Sequence, residues 1–258
     1  MDLNIAGLRV LVTAGAAGIG LEIARTFHRE GARVHVCDVD SGALQEAAAS
    51  DPDLTSSYGD VADRADVARV FEETLGALGG LDVLVNNAGI AGPTARVEEI
   101  NPEDWDRCLE VCITGQFNCT RLAVPYLRQS ENASIVNLSS AAGRFGFPLR
   151  SPYAAAKWAV IGFTKSLSRE LGEDGIRVNA ILPGVVAGDR QRRVLEAKAQ
   201  QLGIPFEEMQ RRALSNTSLK EYVTAQQLAG QIVFLCSPLG RTISGQAIAV
   251  DADLQALS

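Results

Sequence analysis

The chain is predicted to fold as a doubly wound parallel α/β sheet with helices on both faces, in one domain covering residues 1–258. Three observations carry this expectation. Short apolar, β-branched runs alternate with amphipathic segments of helical length almost from end to end. The short runs are polar on neither face, as strands covered on both sides must be. A glycine-rich turn stands directly after the first run, where an open α/β sheet binds its ligand. The length of 258 residues suits one large α/β domain, and a hydrophobic fraction of 47% supplies its core.

The elements follow in order. Leu8–Thr13 is the first strand, and the helical segment Ile19–Glu30 follows the glycine turn. Arg33–Cys37 is the second strand, Ala65–Leu78 a helix and Leu81–Val85 a third apolar run. Glu103–Arg128 reads as one long helix before the strand Ser134–Leu138. Tyr153–Leu171 is a further helix, followed by the strand Arg177–Ile181. Ala225–Leu235 and Ala247–Val250 are the last helix and strand. Strand–helix–strand repetition of this kind builds a parallel sheet. One segment breaks the rhythm: Gly188–Lys220 is polar, helical in period and too long for an ordinary connection. It is expected to form an inserted helical pair, a lid over the site.

A formal charge of −7 argues against nucleic acid and anionic membrane surfaces as partners, because both are bound through Lys and Arg. No run of about 18 apolar residues is present to span a bilayer. The N-terminal segment lacks a basic, signal-like region, and the expected address is the cytoplasm. The five cysteines form no CxxC pair. Cys108, Cys112 and Cys119 recur at helical spacing and read as small apolar residues on a packed face. With His28 and His35 as the only histidines, neither in a ligand-like cluster, no metal site is expected.

The turn Thr13-Ala14-Gly15-Ala16-Ala17-Gly18-Ile19-Gly20 opens a helix. Small residues let the backbone turn sharply, approach a pyrophosphate and leave amide hydrogens free at the helix N-terminus. A dinucleotide is therefore expected against Gly15, Ala17, Gly18, Ile19 and Gly20. Asp38 ends the second strand about 20 residues later, where a carboxylate accepts hydrogen bonds from ribose hydroxyls and repels a 2′-phosphate. No Lys or Arg stands in the turn or just after Asp38 to neutralise one, so NAD is expected rather than NADP. A simple strand-end cap is the other reading of Asp38. Tyr153 and Lys157 stand four apart on a helix and share a face. An ammonium there stabilises phenolate and suits the tyrosine to general acid/base work. Ser140 can hold a substrate oxygen beside the phenol.

These motifs, with Asn86-Asn87-Ala88-Gly89, Asp60-Val61, Val178-Asn179-Ala180 and Pro183-Gly184, resemble the short-chain dehydrogenase/reductase family from Gly7 to about Asp251. The resemblance implies a Rossmann-like domain that interconverts a secondary alcohol and a ketone by hydride transfer. It implies Ser140, Tyr153 and Lys157 as catalytic residues. It places Asp60 and Val61 at the adenine and Asn87, Ala88 and Gly89 at the adenosine ribose. It places Lys157 at the nicotinamide ribose and Pro183, Gly184 and Val186 at the nicotinamide. It also implies a homotetramer or homodimer paired through the long helices.

The sequence departs from that pattern in places. The family's asparagine in a V-N-x-x-G context is Cys112 here, within Val111-Cys112-Ile113-Thr114-Gly115. A thiol bonds weakly, so slowed rather than abolished turnover is expected. A nucleophilic role for Cys112 lacks a histidine base. The turn's first glycine is Ala14, and Gly188 removes a hydroxyl that the family often carries after the Pro-Gly block. These departures motivate the alternative of a catalytically weak NAD-binding protein, against which the intact Ser140, Tyr153 and Lys157 stand. A 3-oxoacyl carrier-protein reductase is a further alternative and meets the charge of Asp38. Arg96, Arg144, Arg150, Arg190, Arg192, Arg193, Lys198, Arg211, Arg212 and Lys220 flank the expected substrate pocket. They read either as a pocket for an anionic or heavily oxygenated substrate or as solvated helix faces. Phe145 and Phe147 read as a stacking platform or as packing.

Overall fold

Seven strands, every adjacent pair parallel, lie in the order β3-β2-β1-β4-β5-β6-β7 in the computed structural model, which describes residues 2–257. The strands are β1 (Arg9–Thr13), β2 (Arg33–Asp38), β3 (Thr55–Tyr58), β4 (Val83–Asn86), β5 (Ser134–Leu138), β6 (Arg177–Pro183) and β7 (Ala247–Val250). Between them run α1 (Gly18–Arg29), α2 (Ser41–Ser50), α3 (Arg64–Leu78), α4 (Pro102–Leu109), α5 (Gly115–Leu127), α6 (Ser151–Glu170), α7 (Asp189–Leu202), α8 (Phe206–Ser215) and α9 (Ala225–Cys236). This is the expected doubly wound, Rossmann-like sheet.

Each face of the sheet buries its own core. Val10, Val12, Val34 and Val36 pack with Ile23 and Phe27 of α1 and Leu228 and Ile232 of α9. Leu11, Leu84 and Ile135 pack on the other side with Phe71 of α3, Ala123 of α5 and Leu167 of α6. Alternate residues of one strand thus serve opposite faces, which is why the strands read as continuously apolar. A third cluster joins Leu195 and Ala199 of α7 to Met209 and Ala213 of α8, and seats them on Ala141 and Val185. The Gly188–Lys220 segment therefore contains two helices packed above the carboxyl ends of β5 and β6.

Two elements were not legible in the sequence. β3 reads Thr-Ser-Ser-Tyr and has no apolar run, yet it pairs because His35 of β2 bonds Thr55 Oγ1 and Ser57 Oγ, both at 2.8 Å. α2 buries only Leu44 and Ala47, and is started by Asp40, whose Oδ1 accepts from the amides of Gly42 and Ala43. The expected long helix Glu103–Arg128 is interrupted: Glu110–Thr114 forms a π-helical turn between α4 and α5. Such turns insert one residue into the helical ladder and gather at functional sites. Cys112 lies within it.

Candidate active site

The first side of the site is built where the strand order reverses between β1 and β4. After Thr13 the chain turns through Ala14, whose φ of 50° is left-handed. A side chain at Gly15 would come within 2.7 Å of Val36, and one at Gly20 within 2.0 Å of the Ala14 carbonyl oxygen. Only glycine fits such close approach. Ala17 starts α1 without a side-chain cap, and the first turn holds no acidic residue. The helices α2, α3 and α9 are capped by Asp40, Asp63 and Thr224, whereas α4, α6, α7 and α8, like α1, have no side-chain cap. The space beside the Gly18 Cα is open. Free amides, a positive helix end and room above glycine fit a pyrophosphate. Ile19 leans on the core below.

Asp38 closes this cradle. One carboxylate oxygen accepts from the Ala16 amide at 3.2 Å and the other from the Asp40 amide at 3.1 Å. The cap role is thus real, and lone pairs remain on a carboxylate fixed beside the turn. Asp60 is tied at one oxygen to the Ala62 amide (2.9 Å) and at the other to Arg107 of α4 (2.5 Å). Val61 is buried, and its carbonyl accepts from Asn118 Nδ2 at 3.0 Å.

Asn87, Ala88 and Gly89 leave β4 against the same turn. The Asn87 and Ala88 amides both donate to Thr13 Oγ1 at 3.0 Å. Asn87 Nδ2 donates to the carbonyls of Thr13 and Ala14, each at 2.9 Å. This role of the Thr13 hydroxyl has no signature in the sequence, because it depends on β1 and β4 being neighbours.

The second side is set by α6 and the 3₁₀ turn Ala141–Gly143. Tyr153 and Lys157 leave the same face of α6, with the Lys157 ammonium 5.6 Å from the phenol ring centre. Lys157 is 3% exposed and donates to the Leu138 carbonyl at 2.7 Å. Ser139 Oγ donates to the Lys157 carbonyl at 2.7 Å, and Ser140 Oγ accepts from the Ala142 amide at 3.1 Å. The end of β5 is thereby clamped to α6. A side chain at Gly89 would meet Lys157 Nζ at 3.4 Å and Cys112 Sγ at 3.6 Å, so both sides of the site meet at Gly89. Pro183 ends the neighbouring strand β6; Gly184 packs on Asp251, and Val186 is buried and bridged to Val223.

The three cysteines at helical spacing separate. Cys119 belongs to the core on the α3 side, near Cys37 of β2, Val61, and Val67 and Val70 of α3. Cys108 and Cys112 pack together with Ala156 beside Tyr153. Cys112 Sγ reaches the Ile90 carbonyl at 3.5 Å. The Cys108 thiol donates to Cys112 and, with the Lys157 charge, pulls Cys112 below the usual thiol range, while Cys108 is pushed up.

The cations separate as well. Arg192, Arg211, Arg212 and Arg96 are exposed and lie beside Glu196, Glu208 and Glu98; Arg144 pairs with Asp251. These fit the solvated-face and structural readings. Arg150 and Lys198 are instead 2% and 1% exposed. The Phe147 ring lies between them, 5.1 Å from Arg150 Cζ and 3.9 Å from Lys198 Nζ. Burial, helped by Arg150, pushes Lys198 down to about 7. Arg190, at the start of α7, donates to the Gly89 carbonyl at 2.9 Å. A surface cleft of about 350 Å³ lined by His28, Arg33 and Asp53 opens at the amino ends of β2 and β3, on the opposite edge of the sheet.

Residues 14–253 match a family model described as enoyl-(acyl carrier protein) reductase, of the short-chain dehydrogenase/reductase type. The chain is 34% identical to D-β-hydroxybutyrate dehydrogenase of Cupriavidus necator, over 93% of this chain and 94% of that one. It is 35% identical to a 3-oxoacyl-(acyl-carrier-protein) reductase of Thermotoga maritima, over 98% and 99%. Among solved structures, NAD+-bound xylitol dehydrogenase superposes with a TM-score of 0.91 at 26% identity, covering 96% of this chain and 98% of that one. With the parallel sheet, the glycine turn and the Tyr153–Lys157 pair already in place, these matches settle the lineage: the chain belongs to the short-chain dehydrogenase/reductase family of oxidoreductases.

Proposed function

We propose that the chain is an NAD-dependent oxidoreductase that interconverts a secondary alcohol and a ketone, with Tyr153 as the acid/base. The substrate class is a sugar, a polyol or another small hydroxy compound. The observation that carries the reading is the Tyr153–Lys157 pair, held against Ser139 at the carboxyl edge of the sheet, where α1 starts without a side-chain cap. When bound, a nicotinamide dinucleotide supplies the centre that accepts or gives up hydride. Gly15, Ala17, Gly18, Ile19 and Gly20 hold its pyrophosphate and Asp38 the adenosine ribose diol. Asp60 and Val61 flank the adenine, and Asn87, Ala88 and Gly89 line the ribose. Pro183, Gly184 and Val186 pack at the nicotinamide end.

Ser140 donates a hydrogen bond to the substrate oxygen and fixes it beside the phenol. Tyr153 Oη takes the hydroxyl proton in oxidation and returns it in reduction. The Lys157 ammonium attracts the phenolate charge and, with the Leu138 carbonyl as its anchor, holds its own place. The pair α7–α8 acts as the lid over this chemistry. Phe117, Tyr126 and Trp158, exposed on α5 and α6, support pairing of copies through those helices into a homotetramer. Among the described residues no helix is long and apolar enough to cross a membrane, and a cytoplasmic address completes the reading.

The test is NADH formation across a panel of secondary alcohols. Tyr153→Phe should lower kcat by about 10²–10⁴-fold with cofactor affinity kept, since that is what a positioned acid/base contributes. Retained turnover in Tyr153→Phe rejects the assignment. A second reading, a 3-oxoacyl carrier-protein reductase, is favoured by the Thermotoga maritima relative. Titration with NAD and NADP separates the two, because the Asp38 carboxylate opposes a 2′-phosphate.

A further inference from the structure

Arg150 stands three residues before Tyr153, and its guanidinium carbon lies 5.2 Å from the phenol ring centre. Only one of its nitrogens, Nη2, has a partner, the Ala91 carbonyl. Nε and Nη1 are buried without any. Leaving a buried cation's donors unused is costly, and proteins retain the arrangement where a ligand completes it. No carboxylate lies within ion-pair distance of Arg150 or Arg190 among the described residues, although Arg192, Arg211 and Arg212 lie beside glutamates. Arg190 Cζ lies 6.0 Å from the Tyr153 ring centre, and Lys198 Nζ lies on the Phe147 ring that Arg150 also faces. Three cations from two segments therefore converge on Phe147 and Tyr153. The backbone supports this placement at a cost. Leu149 has a φ of 65°, a left-handed conformation that a leucine adopts only under constraint, and its carbonyl is held by the Ala95 amide at 3.0 Å.

We propose that Arg150, with Arg190, forms an anion subsite beside the phenol, and that the substrate is a small hydroxy acid or its keto acid. The inference rests on the reading of Tyr153 as the acid/base. The acid group, a carboxylate or a sulfonate, accepts hydrogen bonds from the unused guanidinium donors. Because Arg150 and the phenol are so close, the acid group and the reacting hydroxyl lie within a few bonds of each other in the substrate. In oxidation the carbinol C–H bond breaks, and its hydrogen leaves with the electron pair to the oxidised nicotinamide dinucleotide. The hydroxyl proton passes to the Tyr153 phenolate, and the carbon–oxygen double bond of the keto acid forms.

The experiment compares 3-hydroxybutyrate with its methyl ester, and 2-hydroxypropanesulfonate with 2-butanol, under one NAD concentration. The acids should exceed their neutral partners in kcat/KM by about tenfold or more, the worth of a charge-assisted hydrogen bond. Which acid leads tells carboxylate from sulfonate. Arg150→Met should erase the preference by raising KM for the acids, and Arg150→Lys should restore part of it. Circular dichroism and melting curves establish that both variants fold. A wild-type enzyme that uses the neutral compounds equally well overturns the subsite and leaves the Tyr153 assignment standing. If no alcohol of either kind is oxidised, the assignment fails instead. Calorimetry of acetoacetate and methyl acetoacetate on the NAD-bound protein then decides the subsite separately: tighter binding of acetoacetate, lost in Arg150→Met, supports it, and equal binding of the two overturns it.

Discussion

The side-chain amide of Asn87 donates to the carbonyl of Ala14 at 2.9 Å, and through a second bond to Thr13 it ties the end of β4 to the turn that follows β1. This link spans the point where the strand order reverses, so the shape of the turn depends on a residue far away in sequence. Replacing Asn87 with Ala leaves two half-buried carbonyls without partners. The expected loss is about 1–3 kcal/mol in denaturant unfolding, with weaker NAD binding in calorimetry. Unchanged affinity would show that the turn holds its form without the tether.

Ala14 itself carries strain. At φ 50° its Cβ crowds the following carbonyl, a penalty that glycine avoids. Ala14→Gly should therefore stabilise the fold by about 1 kcal/mol net of the extra chain entropy, which raises Tm by about 2–4 °C in a domain of this size. Differential scanning calorimetry reads this directly. A lower Tm would mean that neighbouring bonds already relieve the turn.

Cys112 occupies the π-helical turn, close to Lys157 across Gly89, with weak thiol contacts to the Ile90 carbonyl and to Cys108. An amide at this position bonds more strongly to water and backbone. Cys112→Asn should raise kcat under saturating cofactor. A rate equal to wild type would show that the role of the family's asparagine is filled by another group or is not needed.

His35 gives stability a pH signature. Burial between β2 and β3 lowers it from 6.5 to about 4. Between those values the unfolded chain binds the proton and the folded chain does not, so stability rises with pH across this window and levels off above about 6.5. Conversely, the contribution is lost as pH falls toward 4. At 1.36 kcal/mol per pKa unit the full difference is about 3 kcal/mol. Urea unfolding at pH 5 and pH 7 should show a steeper change in the wild type than in His35→Gln, which keeps hydrogen bonds to Thr55 and Ser57 but does not titrate. Parallel profiles would place the pH dependence elsewhere.

Much of the molecule was readable in advance because its signals are local. The strands announce themselves by apolar runs, since each alternates between two cores. The glycine turn and the Tyr153–Lys157 spacing are short-range patterns with a direct steric or helical meaning. β3 escaped notice because its residues are polar, and it exists through the side chain of His35 in another strand. The π-helical turn escaped because the residues around Cys112 have an ordinary helical composition.

The row of arginines and lysines marks the boundary most clearly. By itself the sequence determined that cations cluster before α6 and along α7, and that a phenol and an ammonium share one helical face. Only the tertiary structure decided which cations are solvated and which are enclosed. Arg192, Arg211 and Arg212 find glutamates one helical turn away on their own helices, whereas Arg150 and Lys198 are enclosed when α7 folds onto the segment preceding α6. Burial is a property of what packs on top of a residue, and no spacing within a segment encodes it.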